Sequence, residues 1–370
     1  MLIAGAGLAG LTAAARAREL GGEPVVLEKG TRAGGSMLLS SGVVWRYREL
    51  EEFRRQCPTG DERLQRLVFD RLDEGLAWLE SLGAPVVERE TGNPLTTGVR
   101  FHTGGLTDAL LRAGGDVAYE AGLTHTGSVE VLKDAARTDY PLVLATGGFQ
   151  GDSQLVERYV RPAAPLRLRA NPWSAGDGLL LGLDRGAALS AGLDEFYGRN
   201  MADVDFGQDE FVSLAQVFGR YARIFNDEGE EFFDHNEVSW SELDLVQATA
   251  HQPGGRAWYV FDEEALEERV RYGTVRELVA EAPTLTDPAD LPFAPPPHVV
   301  AATRVAAAIT HTIGGLRIDD RARVLDERDQ PIDGLFAAGV DAGGISTGGY
   351  ASGLASALVL GLTAAETALS

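Results

Sequence analysis

The chain opens with MLIAGAGLAGLTAAARARELGGEPVVLEKG, in which Gly5-x-Gly7-x-x-Gly10 joins a short apolar strand to an alanine-rich helix and Glu28 closes the next strand. This order predicts a dinucleotide-binding βαβ unit. Gly5 makes a tight turn, Gly7 lets a pyrophosphate approach the backbone, and Gly10 brings helix and strand together, while the helix start supplies N–H groups and a positive dipole end. Glu28 lies eighteen residues beyond Gly10, where a carboxylate can accept from a ribose hydroxyl, and Lys29 follows it. Three glycines alone would be a weak signal in a chain that holds 45. Here strand, helix, second strand and acid follow in order, which favours the nucleotide reading over a plain turn.

At 370 residues and 44% hydrophobic content the chain can bury a large core, as two domains or as one large domain with an insertion. The formal charge of −22 and the lack of any basic run exclude the phosphate-neutralising surface that nucleic acids need. Lys29 and Lys133 are the only lysines, and Cys57 is the only cysteine. One thiol forms no internal disulfide, iron–sulfur site or CxxCH haem attachment, so no metal is expected and an electron carrier must be organic. No run reaches the roughly 18 apolar residues of a membrane span. The apolar start is read as a strand rather than a leader peptide, because no basic region precedes it, and a cytoplasmic protein is expected.

Further along, Gly34-Gly35-Ser36 and Ser40-Ser41-Gly42 form a small-residue segment that can lie against a flat ligand. Apolar residues at helical spacing from Leu64 to Leu79, stopped by Gly83 and Pro85, predict a helix packed on a sheet, and another is expected over 106–112. The segment PLVLATGGFQGD reads as a buried strand running into Thr146-Gly147-Gly148. Ala175-Gly176-Asp177-Gly178 precedes an apolar helix and reads as a second helix start fit for an anion. Acids, aromatics and prolines rise from about Tyr197 to Ala307, which predicts an inserted cap. The closing segments HTIGG, GLFAAGVDAGG and STGGYASGL return to the glycine-rich style and feed a long apolar helix, whose dipole can stabilise a reduced flavin.

Taken in order, GAGLAG with Glu28, GGS with SSG, LATGGF, AGDG, HTIGG and GLFAAGVDAGG with GGY resemble the flavoprotein family of fumarate reductase, succinate dehydrogenase and 3-ketosteroid dehydrogenase, from Leu2 to Ala365. The resemblance implies an α/β fold: a discontinuous Rossmann-like FAD-binding domain over 1–196 and 308–370, with an α+β cap over 197–307. It also implies FAD and hydride transfer at a C–C bond beside a carbonyl or carboxylate. By motif, Gly5, Gly7 and Gly10 would hold the pyrophosphate and Glu28 the ribose. Ser36 and Ser41 would border the isoalloxazine, Asp341 would contact the ribityl chain, and the Leu354 backbone would face a flavin carbonyl. Lys29, Gly35, Gly42, Thr146, Gly147 and Asp177 complete the cofactor set. The family's covalent members carry a histidine just beyond the GG segment. None stands in GGSMLLSSG, so dissociable FAD is expected.

The chain departs from the reductases at two charged positions. They carry a proton-delivering arginine after a segment like GNRFMNE, and the matching run GEEFFDHNEVS places Ser239 at the arginine and His235 at the acid. They hold a substrate carboxylate with a closing-segment arginine, where this chain has Tyr350. Arginine gives a carboxylate a two-pronged fork, whereas tyrosine offers one hydroxyl suited to a neutral carbonyl. Tyr350 resembles the tyrosine with which ketosteroid dehydrogenases polarise a ketone, and His311 matches the family histidine at the substrate. Tyr197 and His235 are base or acid candidates beside plain structural readings, and Arg199 or Arg220 could replace the lost clamp. Three readings follow: C=C chemistry next to a ketone, a reductase or dehydrogenase of small carboxylates, and a degenerate flavin-binding protein. The partners are a small-molecule substrate and an unidentified acceptor, since no separate NAD(P)H site is signalled.

Overall fold

A computed structural model describes residues 1–121, 140–161, 165–215, 218–270 and 273–370. Most of the 115–140 stretch, which looks short for the family, lies outside the described residues. The chain divides into two compact units, one of Met1–Val160, Ala170–Phe196 and His311–Ser370, the other of Arg161–Arg169 and Tyr197–Thr310.

The first unit is built on a six-stranded sheet in the order Arg323–Leu325, Pro331–Ala337, Leu142–Leu144, Leu2–Ala4, Val25–Leu27, Val117–Ala118. All neighbours are parallel except the Arg323–Leu325 edge. The central strand is only three residues long, and Ile3 lies level with Val143 on one side and Val26 on the other. Its residues are apolar on both faces because helices cover the sheet. Helix Leu8–Glu19 buries Ala13, Ala14, Ala15 and Ala17, small side chains that let other helices pack close, the terminal helix Gly353–Ala368 among its neighbours. The contact is tight: a Cβ on Gly361 would stand 2.6 Å from the Ala9 carbonyl oxygen. Helix Glu62–Ser81, expected from its spacing, is capped by Asp61, which accepts from the Arg63 and Leu64 amides and contributes about 1 kcal/mol. The helix expected over 106–112 extends over Thr103–Gly114.

A separate antiparallel sheet orders Val43–Tyr47, Thr96–Phe101 and Val86–Glu88. Gly98 faces Trp45 across it, and a Cβ there would come within 2.6 Å of the Trp45 Cα. The bare glycine therefore makes room for the Trp45 strand.

The second unit is a mixed sheet with small helices. Strand Ala301–Thr312 pairs with Arg256–Phe261, Thr284–Leu285, Arg167–Leu168 and Phe196–Ala202, and Arg223–Phe225 and Glu231–Phe233 extend the far edge. Phe218, Ile224, Leu245, Tyr259, Phe261, Val275 and Val305 form its core. Among the described residues no helix is long and apolar enough to cross a membrane.

Candidate active site

The glycine turn is filled on two sides and open on the third. A Cβ on Gly5, whose φ is +102°, would lie 2.2 Å from the Ala145 carbonyl oxygen, and one on Gly10 would lie 1.9 Å from that of Gly5. A Cβ on Gly7 would meet nothing within 4 Å. Gly7 also caps helix Leu8–Glu19, whose first turn carries no acid and no side-chain cap. An open slot over an undischarged helix start fits a pyrophosphate. Gly34 pairs with Gly7, and its N–H donates to the Ala6 carbonyl at 2.7 Å, which closes the turn from outside. A Cβ on Gly35 would stand 3.1 Å from the Gly7 Cα, so this glycine too is needed close to the slot.

Glu28 is buried, and its Oε2 accepts from the Ala6 amide at 2.8 Å while Oε1 accepts from Gly30 at 2.7 Å. It stitches the glycine turn to the second strand and keeps one lone pair per oxygen for a ribose. The exposed Trp173 indole packs over Gly30. Ser36 Oγ accepts from the Asn171 amide at 3.2 Å, Ser41 is exposed, and Gly42 takes φ +73° against the Phe101 carbonyl.

Three cofactor candidates are placed differently from expectation. Asp341 is 1% exposed, and its carboxylate accepts from Thr146 N, from Thr146 Oγ1 at 3.0 Å and from Gly148 N at 3.2 Å. It is turned into the Thr146-Gly147-Gly148 turn and holds it, instead of standing open to a ribityl chain. Burial raises its pKa above the usual carboxylate value, against those hydrogen bonds. The Thr146 hydroxyl is likewise occupied, donating to Asp341 and accepting from Gly178 N at 3.0 Å. The helix Asp177–Asp184 does not offer an anion site. Asp177 sits in its own first turn, salt-bridged to Lys29 at 2.9 Å, and the Gly178 amide is taken by Thr146.

In the same unit, Tyr350 is held at several points. Its carbonyl accepts from the Tyr47 hydroxyl at 2.8 Å. Two residues earlier, the Gly348 amide donates to Glu195 Oε2 at 2.7 Å. Between them a Cβ on Gly349 would lie 1.7 Å from the Gln56 carbonyl oxygen, so backbone packs on backbone. The Tyr350 ring meets Trp45 at 5.6 Å and His311 at 6.2 Å between centroids. Cys57, whose thiol burial pushes up to about 12, lies under this turn, and the fully buried Gln65 ties it down through the Cys57 and Ile345 carbonyls.

His311 Nδ1 lies 3.0 Å from the Thr312 carbonyl oxygen. That oxygen only accepts, so the ring proton sits on Nδ1. Burial holds His311 below its ordinary value despite this bond, so the ring is neutral at pH 7. Its Nε2 is enclosed and faces Gly353 at the start of the terminal helix, where a Cβ would stand 3.2 Å away. Ser352 caps that helix by accepting from Ala355, and half-buried Leu354 occupies the first turn. His311, Val340, Ile345, Ala351, Gly353 and Ser356 line a cavity of about 20 Å³, room for one water.

Tyr197 and His235 belong to the second unit. The Tyr197 hydroxyl accepts from Arg199 Nε at 3.0 Å, and half-buried His235 stands 3.9 Å from Asp234. Arg220 donates to the Ser239 carbonyl at 3.2 Å and lies over the Trp240 ring at 4.1 Å. Within this unit Glu242 is 4% exposed, adopts a φ of +50°, and accepts from the Gly219 amide at 3.2 Å. Burial pushes it up to about 7, partly offset by Arg199 and Arg220. Asn200 links Thr249 and Tyr259 beside it, at 2.8 and 2.9 Å.

A family profile described as an FAD binding domain matches residues 1–137 and 95–356. The chain belongs to this family. It is an FAD-dependent oxidoreductase. A probable fumarate reductase of Shewanella frigidimarina is 26% identical, over 100% of this chain and 74% of the relative. The open form of a flavocytochrome c3 fumarate reductase superposes with a TM-score of 0.74 at 22% identity, covering 100% of this chain and 77% of that one. A 3-ketosteroid-Δ4-(5α)-dehydrogenase of Rhodococcus jostii RHA1, solved with 4-androstene-3,17-dione, superposes with a TM-score of 0.68 at 19% identity, covering 100% and 96%. Both superpositions cover the full length of this chain.

The sequence did not single out Tyr47, Glu195 or Gln65. Each acts on a partner distant in the chain, 303 residues for Tyr47, 153 for Glu195 and 280 for one arm of Gln65. Trp45 is a wall of the Tyr350 site, and Gly98 in the facing strand is its one local signal in the sequence.

Proposed function

We propose that this flavoprotein forms or reduces a C=C bond conjugated to the carbonyl of a neutral, largely apolar molecule. The observation that carries the reading is Tyr350, one hydroxyl on a rigidly held turn between the Trp45 and His311 rings, where a carboxylate-binding enzyme would need a cation. Bound non-covalently, FAD supplies hydride acceptance or donation, with Gly5, Gly7, Gly10 and Glu28 holding its adenosine half. Tyr350 donates a hydrogen bond to the ketone oxygen and stabilises the charge that develops there. Neutral His311 orders the small pocket at the start of the terminal helix. The aromatic walls exclude water and favour an apolar ring system. Tyr197 and His235 remain acid–base candidates of the cap, electrons pass to a quinone, a dye-like acceptor or another protein, and the setting is cytoplasmic, where a single buried thiol needs no partner.

A second reading, reduction of a small dicarboxylate, is supported by Arg220. Its guanidinium lies at the backbone of Ser239, the position of the reductases' arginine, and the probable fumarate reductase of Shewanella frigidimarina matches the whole chain. One experiment separates the two. The purified protein is reconstituted with FAD, freed of excess by gel filtration, and mixed anaerobically with 4-androstene-3,17-dione, or reduced and mixed with fumarate. Bleaching by the ketone supports the first reading. Reoxidation by fumarate alone, lost in Arg220→Gln, replaces it with the second.

A further inference from the structure

The chemistry proposed above needs a proton acceptor as well as an electrophile, and Glu195 stands in the unit that holds Tyr350 and His311. Its backbone carbonyl accepts from the Ile313 amide at 3.2 Å, two residues from His311, and its Oε2 accepts from Gly348 N at 2.7 Å, two residues from Tyr350. The backbone of Glu195 is thus tied to the segment of His311 and its carboxyl group to the segment of Tyr350. Oε1 accepts no hydrogen bond from a described residue and is not enclosed.

We propose that Glu195 is the proton-transfer residue of this site, with Oε2 fixed on Gly348 and Oε1 exchanging a proton with the carbon next to the substrate carbonyl. In the oxidative direction the α C–H bond breaks and its electron pair becomes the second bond of the C=C. The proton goes to Glu195 and then to water, while the β-hydrogen leaves with its electron pair as hydride to oxidised flavin. Reduction runs the same transfers backwards. His311 is excluded from this role by geometry, because Nδ1 is on the Thr312 carbonyl and Nε2 is enclosed against Gly353. Burial and the neighbouring Asp194 hold Glu195 above its ordinary value, which brings a carboxylate closer to the pH of the reaction; the Cys57 thiol is the other titratable group beside it.

This inference rests on the ketone reading, and the test separates the two. Enzyme loaded with reduced FAD cannot accept hydride, so deuterium uptake from D2O at the α-carbon of cyclohexanone or 5α-androstane-3,17-dione, saturated ketones with no C=C to receive hydride, reports the proton step alone. Glu195→Gln keeps an oxygen for the Gly348 amide and removes the base. Exchange is expected to fall at least ~100-fold, with the flavin spectrum and urea midpoint unchanged, and Glu195→Asp to recover part of it. Exchange in Glu195→Gln within about threefold of the parent overturns the role of Glu195 and leaves the ketone reading standing. A parent enzyme that neither exchanges these ketones nor is bleached by them overturns both.

Discussion

The buried carboxyl of Glu242 sets a pH-dependent term in the stability of the second unit. Its pKa rises from 4.5 to about 7, chiefly because burial disfavours the charge, with Asp244 adding to this and Arg199, Arg220 and the Gly219 amide opposing it. A group whose folded pKa is raised adds stability that is fully present below the unfolded value and lost as pH rises through the folded one. The displacement corresponds to about 3 kcal/mol, lost between pH 4.5 and pH 8. Glu242→Gln removes the titration, and its amide oxygen can still accept from Gly219. The two proteins should therefore unfold within about 1 kcal/mol of each other at pH 4.5, with the variant about 3 kcal/mol more stable at pH 8.5. Urea unfolding followed by circular dichroism at pH 4.5, 6.5 and 8.5 measures the difference. A gap between parent and variant that stays constant with pH would refute the reasoning, because it would mean that Glu242 ionises as easily in the fold as in water.

The glycine turn yields a paired prediction. Gly7→Ala, whose methyl enters open space, should keep the parent's urea midpoint yet bind FAD at least ~10-fold more weakly by equilibrium dialysis, whereas Gly10→Ala, 1.9 Å from a carbonyl oxygen, should lose ~2 kcal/mol or more of stability. Equal FAD affinity in Gly7→Ala would remove the pyrophosphate from that slot. Tyr350→Phe should retain flavin and lower ketone turnover by ~100-fold or more, since it deletes one oxyanion donor and leaves the Tyr47 clamp on the backbone intact. Nitrogen-15 spectra should show His311 neutral with the proton on Nδ1 from pH 8 down through its ordinary value of 6.5; an imidazolium signal at pH 7 would contradict the burial argument.

The nucleotide half of the fold was legible because its demands are local. Strand, turn, helix and acid lie within 28 residues, and Gly5 and Gly10 answer contacts that the structure displays while Gly7 leaves the slot open. The departures at Asp341 and Thr146 share one cause, whereas Asp177 is engaged by its salt bridge to Lys29. Motif order says that a polar residue is near the cofactor, whereas burial and competing backbone amides decide which way its oxygens face. Asp341 has three donors within one turn, and once these are satisfied it has no surface left to offer. The Tyr350 site was half legible: the tyrosine and histidine stood in recognisable motifs, but Tyr47, Glu195 and Gln65 are selected by partners brought together only by the tertiary fold.

The order of strands in the parallel sheet also governs how the protein is made. Leu2–Ala4 pairs with Leu142–Leu144, which pairs with Pro331–Ala337, so the sheet joins the beginning, middle and end of the chain. During synthesis the amino-terminal strand waits, with one flank uncovered until residue 142 emerges and the next until 331. Most of the second unit, by contrast, comes from the continuous stretch Tyr197–Thr310 and can collapse while the last strand is still inside the ribosome. The Tyr350 site is therefore completed only after the second unit has been made, and a chain cut short before helix Gly353–Ala368 would carry the glycine turn in full without a finished pocket to close around its ligand.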